Sequence, residues 1–470
     1  MSTVIHYDIV VIGSGPAGQK AAIQGAKAGK HVAMIEREPG VGGSCVYRGT
    51  IPSKTLRQSA LQADRMKRSS PTLDMQAPSN ILVSTLMRRL DEVVTSHGNY
   101  MMNQLTRNGI TFFHGRAQFR SDHLIEMLTV DGLTQLLTAD TIVIATGSRP
   151  RAPGDIAIDH EHILDSDSIL SMIYLPRSLT VLGGGIIALE YASIFAALGV
   201  QVTIVDRAER PLQFFDEELV RTFMQSFGQE GGRYCGAQTI KSVQWDGISQ
   251  VVTRLQDGQV ITSDKMLVAL GRQANLEDLN LGATSLAVTE KGTLAVNEYG
   301  QTVMPHIYGV GDLIGSGLAS SAMEQGRRAV CHALGLPEGQ SAGIIPVGIY
   351  TIPEMSSIGL DEVAGRTRYR DVMIGRARFH EIARGQISGI HDGLLKMIAD
   401  PTGEHLLGVQ IVGEGATELI HMGQMALQHA ASIDSFVENI FNFPTLAESY
   451  RVAALDIVGQ RQKHLATIAA

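Results

Sequence analysis

The sequence predicts an α/β protein with two Rossmann-like domains and a third, α+β domain at its C-terminal end, on three observations. A glycine turn joins an apolar strand to a helix from Gly13. The same arrangement recurs from Gly183. Beyond about Pro346 the strands and helices alternate in a different register. Self-similarity of this kind marks a repeated supersecondary unit.

The bulk properties set bounds. A chain of 470 residues has room for roughly three to four domains. Hydrophobic content of 44% with 18% charged residues is globular rather than disordered. The net charge of −8 comes with no basic block, which argues against nucleic acid as a partner. No apolar run approaches the ~20 residues a membrane helix needs, and Met1 to Asp8 run straight into a strand without a charged leader, so no membrane is expected. Three cysteines, Cys45, Cys235 and Cys331, speak against a secreted disulfide scaffold and for a reducing cytoplasm.

Ile9-Val10-Val11-Ile12 is an apolar run of the length of a buried parallel strand. Gly13-Ser14-Gly15-Pro16-Ala17-Gly18 follows at once and opens a helix to about Lys27; His31 to Ile35 is the next strand, and Glu36 ends it. Glycines in this context allow a tight turn and close approach of a pyrophosphate to a helix N-terminus, while the acidic residue takes ribose hydroxyls. In the second copy Leu179 to Leu182 is the strand, Gly183-Gly184-Gly185-Ile186-Ile187-Ala188 the turn, Val202 to Val205 the next strand and Asp206 its end. Gly13/Gly183, Gly15/Gly185, Gly18/Ala188, Gly29/Gly199 and Glu36/Asp206 align without a gap. Two such units in register point to two dinucleotides.

Between them lies Gly42-Gly43-Ser44-Cys45-Val46-Tyr47-Arg48-Gly49-Thr50-Ile51-Pro52-Ser53-Lys54. This segment resembles the redox-active stretch of the flavin disulfide reductases, the family of lipoamide dehydrogenase, glutathione reductase and mercuric reductase. In those enzymes a pair of cysteines forms a disulfide beside the flavin and Pro-Ser-Lys follows. Here the first cysteine is kept as Cys45, but Thr50 stands at the second, and a hydroxyl cannot close a disulfide. The family's C-terminal His-Pro-Thr-x-x-Glu is also altered: the stretch reads Phe443-Pro444-Thr445-Leu446-Ala447-Glu448, with Phe443 in place of the acid/base histidine. Loss of a general base typically costs ~10²–10⁴ in rate. Thiol and base are lost together, as one functional change.

The resemblance extends over essentially the whole chain and implies its plan. Thr141 to Gly147 resembles the strand that closes the FAD domain, and Ile307-Tyr308-Gly309-Val310-Gly311-Asp312 the second FAD motif, so the second repeat is an inserted NAD(P) domain. The implied division is 1–152 for the first part of the FAD domain, 153–275 for the NAD(P) domain, 276–345 for completion of the FAD domain and 346–470 for a dimer-interface domain. Arg461 to Ala470 are expected to be a short frayed tail. The two departures, with Gly348-Ile349-Tyr350-Thr351-Ile352-Pro353-Glu354, resemble the soluble pyridine nucleotide transhydrogenase branch. That branch implies FAD-dependent hydride transfer between NADPH and NAD+, ping-pong through reduced flavin, in a homodimer or higher homo-oligomer, with FAD, NAD(H) and NADP(H) as cofactors and no metal.

Lys54 and Glu190 are the implied catalytic pair, an ammonium beside the flavin held by a carboxylate. Cofactor contacts are expected at Gly13, Gly15, Gly18, Glu36, Arg37, Gly43, Cys45, Lys54, Gly147, Gly183, Gly185, Glu190, Asp206, Arg207, Gly271 and Asp312. Asp206 would repel the extra phosphate of NADP, and Arg207 and Arg210 are placed to offset it. Cys45 is read as a packing residue, like Cys235, Cys331 and Trp245; His421 as a core or interface histidine; Arg65, Lys67, Arg68, Arg88 and Arg89 as solvated helix faces. Two alternatives stand beside the transhydrogenase reading. One is an NAD(P)H-dependent reductase or oxidase acting on a quinone, oxygen or a metal ion; the other is a flavoprotein that senses nicotinamide redox state without turnover.

Overall fold

The computed structural model describes residues 4–69, 82–339 and 343–469. Met1–Thr3, the head of the stretch expected to run into the first strand, and Ala470, the end of the expected tail, lie outside the described residues.

The apolar run of the first repeat becomes the strand Val4–Ile12, with Ile9, Val10 and Val11 wholly buried. It pairs in parallel with Val32–Glu36 on one side and Thr134–Ile144 on the other. Burial on both faces is why its sequence is continuously apolar. Thr111–Ser121 joins Val32–Glu36 in parallel, Leu124–Thr129 lies antiparallel between Thr111–Ser121 and Thr134–Ile144, and Ile307–Gly309 joins Thr134–Ile144 in parallel from far along the chain. The helix Pro16–Lys27 packs against this sheet and against Ala319–Ala333.

The second repeat builds its own parallel sheet, in the order 233–235, 201–205, 178–182, 265–268 and 163–165. The chain leaves the first unit along Ser148–Pro150 and returns along Arg272–Ala274, and these two short strands pair antiparallel as a neck. The C-terminal unit is a five-stranded antiparallel sheet, Val347–Ile349 to Met373–Arg378, backed by the helices Ala416–Gln428 and Glu448–Ala469. The protein is thus α/β, with two Rossmann-like units and an α+β unit.

One correction falls at the end of the chain. Arg461 to Ala469 are not a frayed tail but the last turns of the helix Glu448–Ala469. Gln460 donates to the Ile374 carbonyl at 2.8 Å, and Arg461 forms a two-pronged pair with Asp434 at 2.6 and 2.8 Å, which ties the segment to the sheet and to a neighbouring helix.

The three units meet on the helix Ile186–Ala197, which is mostly apolar and buried from Ala188 to Ala197, with Glu190 and Ser193 among its few polar residues. Leu56 and Ala60 of the first unit and Ile349, Met355, Leu394 and Val412 of the third share its core. A second junction is ionic. Lys396, 3% exposed, places Nζ 2.9 Å from Asp216, 3.3 Å from Glu218 and 2.7 Å from Glu362, while Arg376 reaches Glu218 at 3.0 Å. Asp216 also caps the helix Glu217–Gln229 of the inserted unit, so the cluster joins that unit to the C-terminal sheet. A third tie is Arg57, which donates to the Thr351 carbonyl and to Glu354, both at 3.0 Å.

Candidate active site

A cavity of about 1500 Å³ runs between the units. It is lined by Gly13, Gly15, Glu36, Arg37, Gly43, Cys45, Lys54, Gly147, Gly185, Glu190, Gly271 and Asp312, so most residues expected at the cofactors converge on it. Gly18, Gly183, Asp206 and Arg207 do not line it. The corresponding turn glycines Gly13 and Gly183 have φ of 103° and 106°, a conformation side chains rarely adopt, and a Cβ on Gly13 would collide with the Ala145 carbonyl. Beside Gly15 and Gly185 the space is open, so the backbone of each turn is bare where a phosphate must approach.

The residues present fit a flavin dinucleotide. The turn leads into the N-terminus of Pro16–Lys27, whose first turn carries no acidic residue to repel a pyrophosphate. Glu36, buried at the end of its strand, accepts from the Ser14 amide and hydroxyl at 2.8 and 2.7 Å and from the Glu38 amide at 3.0 Å, which fixes the carboxylate at the cavity wall. Arg37 leans on Asp278 at 3.3 Å. Asp312 accepts from Ser148 at 2.6 Å. Gly43 brings the Cys45 segment against the turn: a Cβ there would come within 3.0 Å of the Gly15 Cα.

Farther in, Lys54 rises from the helix Thr50–Ser69 to meet Glu190 of Ile186–Ala197, Nζ to Oε2 2.7 Å. The other oxygen of Glu190 accepts from the Tyr350 amide at 2.8 Å, and the Lys54 ammonium sits 4.9 Å over the Tyr350 ring. Glu190 is thereby satisfied on both oxygens although it is only 6% exposed. The Tyr350 contribution escapes sequence reading. The segment around it is recognisable, but a backbone donor has no side-chain signature.

Cys45 lies in the short helix Gly43–Tyr47, next to Thr50, and is a free thiol. Burial pushes the thiol above its ordinary range, and contact with Thr50 and the Lys54 charge only partly oppose this. A protonated thiol is a poor nucleophile. Phe443 is 74% exposed, and Glu448 accepts from the Thr445 amide at 3.3 Å. His421 is exposed at the cavity edge, where it contacts Gln424, so it is no core histidine. Arg65 and Arg68 are more than solvated: they pair with Glu414 at 2.8 Å and Glu230 at 2.6 Å, whereas Lys67, Arg88 and Arg89 are exposed. Trp245 stacks on His162, and Cys331 is buried.

At the second turn Asp206 accepts from the Arg207 amide at 2.8 Å and the Tyr234 hydroxyl at 3.2 Å. Arg207 is exposed beside it. Arg210, expected to help meet a phosphate, is committed elsewhere: its guanidinium donates to the carbonyls of Leu212, Gln213 and Phe215 at 3.0 to 3.3 Å and closes its own loop. Carbonyl acceptors drawn in by a loop cannot be read from residue types.

Two dinucleotide units, a shared cavity and a lysine–carboxylate pair in its wall define a flavin-dependent pyridine nucleotide oxidoreductase. The chain belongs to the pyridine nucleotide-disulphide oxidoreductase family: residues 7–326 match that family and residues 345–454 its dimerisation domain. FAD and NAD(P)H are the cofactors of this family, and the dimerisation domain supports a homodimer. Over 460 residues the chain is 40% identical to a protein of Mycobacterium bovis (strain BCG / Pasteur 1173P2) named soluble pyridine nucleotide transhydrogenase, covering 97% of this chain and 98% of that one. A protein of the same name from Vibrio vulnificus (strain YJ016) is 38% identical over 467 residues, covering 97% and 99%. Among solved structures, LpdA from Mycobacterium tuberculosis superposes with a TM-score of 0.88 at 26% identity, covering 96% of this chain and 99% of that one. The HOCl-induced flavoprotein disulfide reductase RclA from Escherichia coli gives 0.86 at 25%, with the same coverage. Among the described residues no helix is long and apolar enough to cross a membrane, and no cluster of three or more His, Cys, Asp or Glu side chains is placed to hold a metal ion.

Proposed function

We propose that the enzyme transfers hydride between NADPH and NAD+ by a ping-pong route in which the two nucleotides take turns in one cleft, in the cytoplasm and without a redox-active disulfide. The observation that carries this reading is the Lys54–Glu190 pair, intact at 2.7 Å in a cavity whose second cysteine position is Thr50. Bound FAD supplies the two-electron acceptor and donor. Lys54 holds a positive charge where negative charge grows during transfer, Glu190 fixes that charge in place, and the Tyr350 amide fixes Glu190. Thr50 and the protonated Cys45 leave no thiolate to intercept the hydride equivalent. The adenosine ribose of either nucleotide is assigned to Asp206, with Arg207 beside it. The names of the relatives support the substrate pair.

Steady-state kinetics test the scheme. With NADPH and a thio-NAD+ acceptor, double-reciprocal plots are expected to be parallel, with the second nucleotide competing at high concentration. Intersecting lines would place both nucleotides on the enzyme together and sink the single-cleft scheme. Absence of nucleotide-to-nucleotide transfer alongside rapid quinone, oxygen or metal-ion reduction would favour the reductase reading instead.

The thiol gives a second expectation. Cys45→Ser should keep transhydrogenation within ~10-fold of the parent enzyme, equivalent to about 1.4 kcal/mol of barrier. The parent enzyme itself should reduce neither dihydrolipoamide, glutathione nor mercuric ion above a flavin-only background. A thousandfold loss in the serine variant would put Cys45 into the chemistry.

A further inference from the structure

The two glycine turns repeat one plan, and they differ in how the acidic residue at the end of the following strand is held. In the first turn Ser14 gives Glu36 both its amide and its hydroxyl. The aligned position in the second turn is Gly184, which has no hydroxyl to give. A Cβ added at Gly184 would collide with Asp206 Oδ2, so the carboxylate itself fills the room a serine side chain would take. Its donor comes from the neighbouring strand instead. Tyr234 lies in Arg233–Cys235, paired in parallel with Gln201–Val205, and its hydroxyl is 3.2 Å from Asp206 Oδ2 and 2.9 Å from the Ala208 carbonyl. A phenol has one proton and two acceptors here, so it can serve only one of them fully at a time.

We propose that Tyr234 is the positioning residue that lets one ribose site take both nucleotides. Its proton turns to Asp206 when a 2′-phosphate lies alongside, and to the Ala208 carbonyl when a ribose hydroxyl donates to Asp206 instead. This rests on the assignment of the adenosine ribose to Asp206. Without Tyr234 only the Arg207 amide, on Oδ1, would still donate to the carboxylate, Oδ2 would face a phosphate without a donor, and the Arg207 guanidinium alone would have to offset the repulsion, since Arg210 is spent on its own loop. Burial, reinforced by the adjacent Asp206 charge, holds the phenol above its ordinary range, so it remains a proton donor throughout neutral pH.

The test is direct binding of NAD+ and NADP+ to the oxidised, FAD-loaded enzyme by calorimetry, in the parent, Tyr234→Phe, Asp206→Asn and the double variant. Phenylalanine keeps the ring and removes only the hydroxyl. Tyr234→Phe is expected to weaken NADP+ ~10-fold, in the range for a hydrogen bond to a charged group, while NAD+ stays within about twofold. In the Asp206→Asn background the same change should move neither nucleotide beyond about twofold, because no charge is left to damp. Equal losses for both nucleotides, or the same loss with and without the Asp206 charge, would show a merely structural hydroxyl and overturn the proposal. If Asp206→Asn shifts NAD+ but Tyr234→Phe shifts nothing, the Tyr234 inference alone fails. If Asp206→Asn leaves both affinities unchanged, the ribose assignment fails and the inference falls with it.

Discussion

In the Lys54→Met enzyme, flavin reduction by NADPH is expected to be ~100- to 1000-fold slower than in the parent, the range for removing one preorganised group that stabilises developing charge. Methionine keeps the length of the side chain but not the ammonium. Two effects then act together. The positive charge in the cavity is gone, and Glu190, only 6% exposed, is left with the Tyr350 amide as its partner. An unpaired buried carboxylate opposes any further negative charge nearby. Glu190→Gln should be milder, ~10-fold, since an amide oxygen can still accept from the Tyr350 amide or the lysine. Stopped-flow bleaching of the flavin band reads both variants, and flavin content checks that each still holds FAD. A Lys54→Met rate within threefold of the parent would remove Lys54 from the mechanism.

The largest expected effect on stability lies at Lys396. Removing it by Lys396→Met leaves Asp216, Glu218 and Glu362 facing one another, with Arg376 the remaining cation at Glu218. Breaking a buried pair in this way costs ~3–5 kcal/mol, and a fall of ~3–5 °C in unfolding temperature is expected for a chain of this size. Acid should narrow the difference. Burial works against ionisation of Glu218, but the Arg376 guanidinium and the Lys396 ammonium outweigh it and hold its carboxyl below the usual range. Glu362 is lowered in the same way, with Lys396 and Arg366 overcoming burial. Lys396 itself is raised, its carboxylate partners overcoming burial. Carboxyls with lowered folded values stabilise above the ordinary carboxylate range near ~4.3, and that contribution disappears as pH falls through the folded values. The raised lysine contributes in full below its ordinary value of ~10.4 and loses that contribution only as pH rises through its higher folded value. The gap between parent and variant should therefore be widest from about pH 5 to 10 and shrink below about pH 4. Thermal unfolding across that range checks it; a gap independent of pH would mean that packing, not charge, is what Lys396 supplies.

The features legible in the sequence were those with a local period or a fixed spacing. Ile9 to Ile12, the Gly13 and Gly183 turns and their acidic strand ends are set by nearest neighbours along the chain, and they appear where the pattern puts them. The neck was not legible, because Ser148–Pro150 and Arg272–Ala274 are three-residue polar strands that exist only through each other. The final turns from Arg461 onward look like a tail in isolation; they are helical because Asp434 and the Ile374 carbonyl lie within reach. Lys54 and Glu190 were found through motifs, whereas Tyr350, Tyr234 and the true partners of Arg210 depend on long-range packing that residue types do not encode.

The carboxylate of Glu190 belongs to three units at once: it sits on the inserted unit, grips Lys54 of the first and is gripped by the Tyr350 amide of the third. The units are therefore not exchangeable parts. A chimera that takes residues 153–275 from a relative inherits a working centre only if that relative places its carboxylate at the same height against both partners. Exchange of the inserted unit in this chain therefore has to keep all three contacting segments mutually compatible, in addition to the apolar core and the Lys396 cluster that also hold the unit in place.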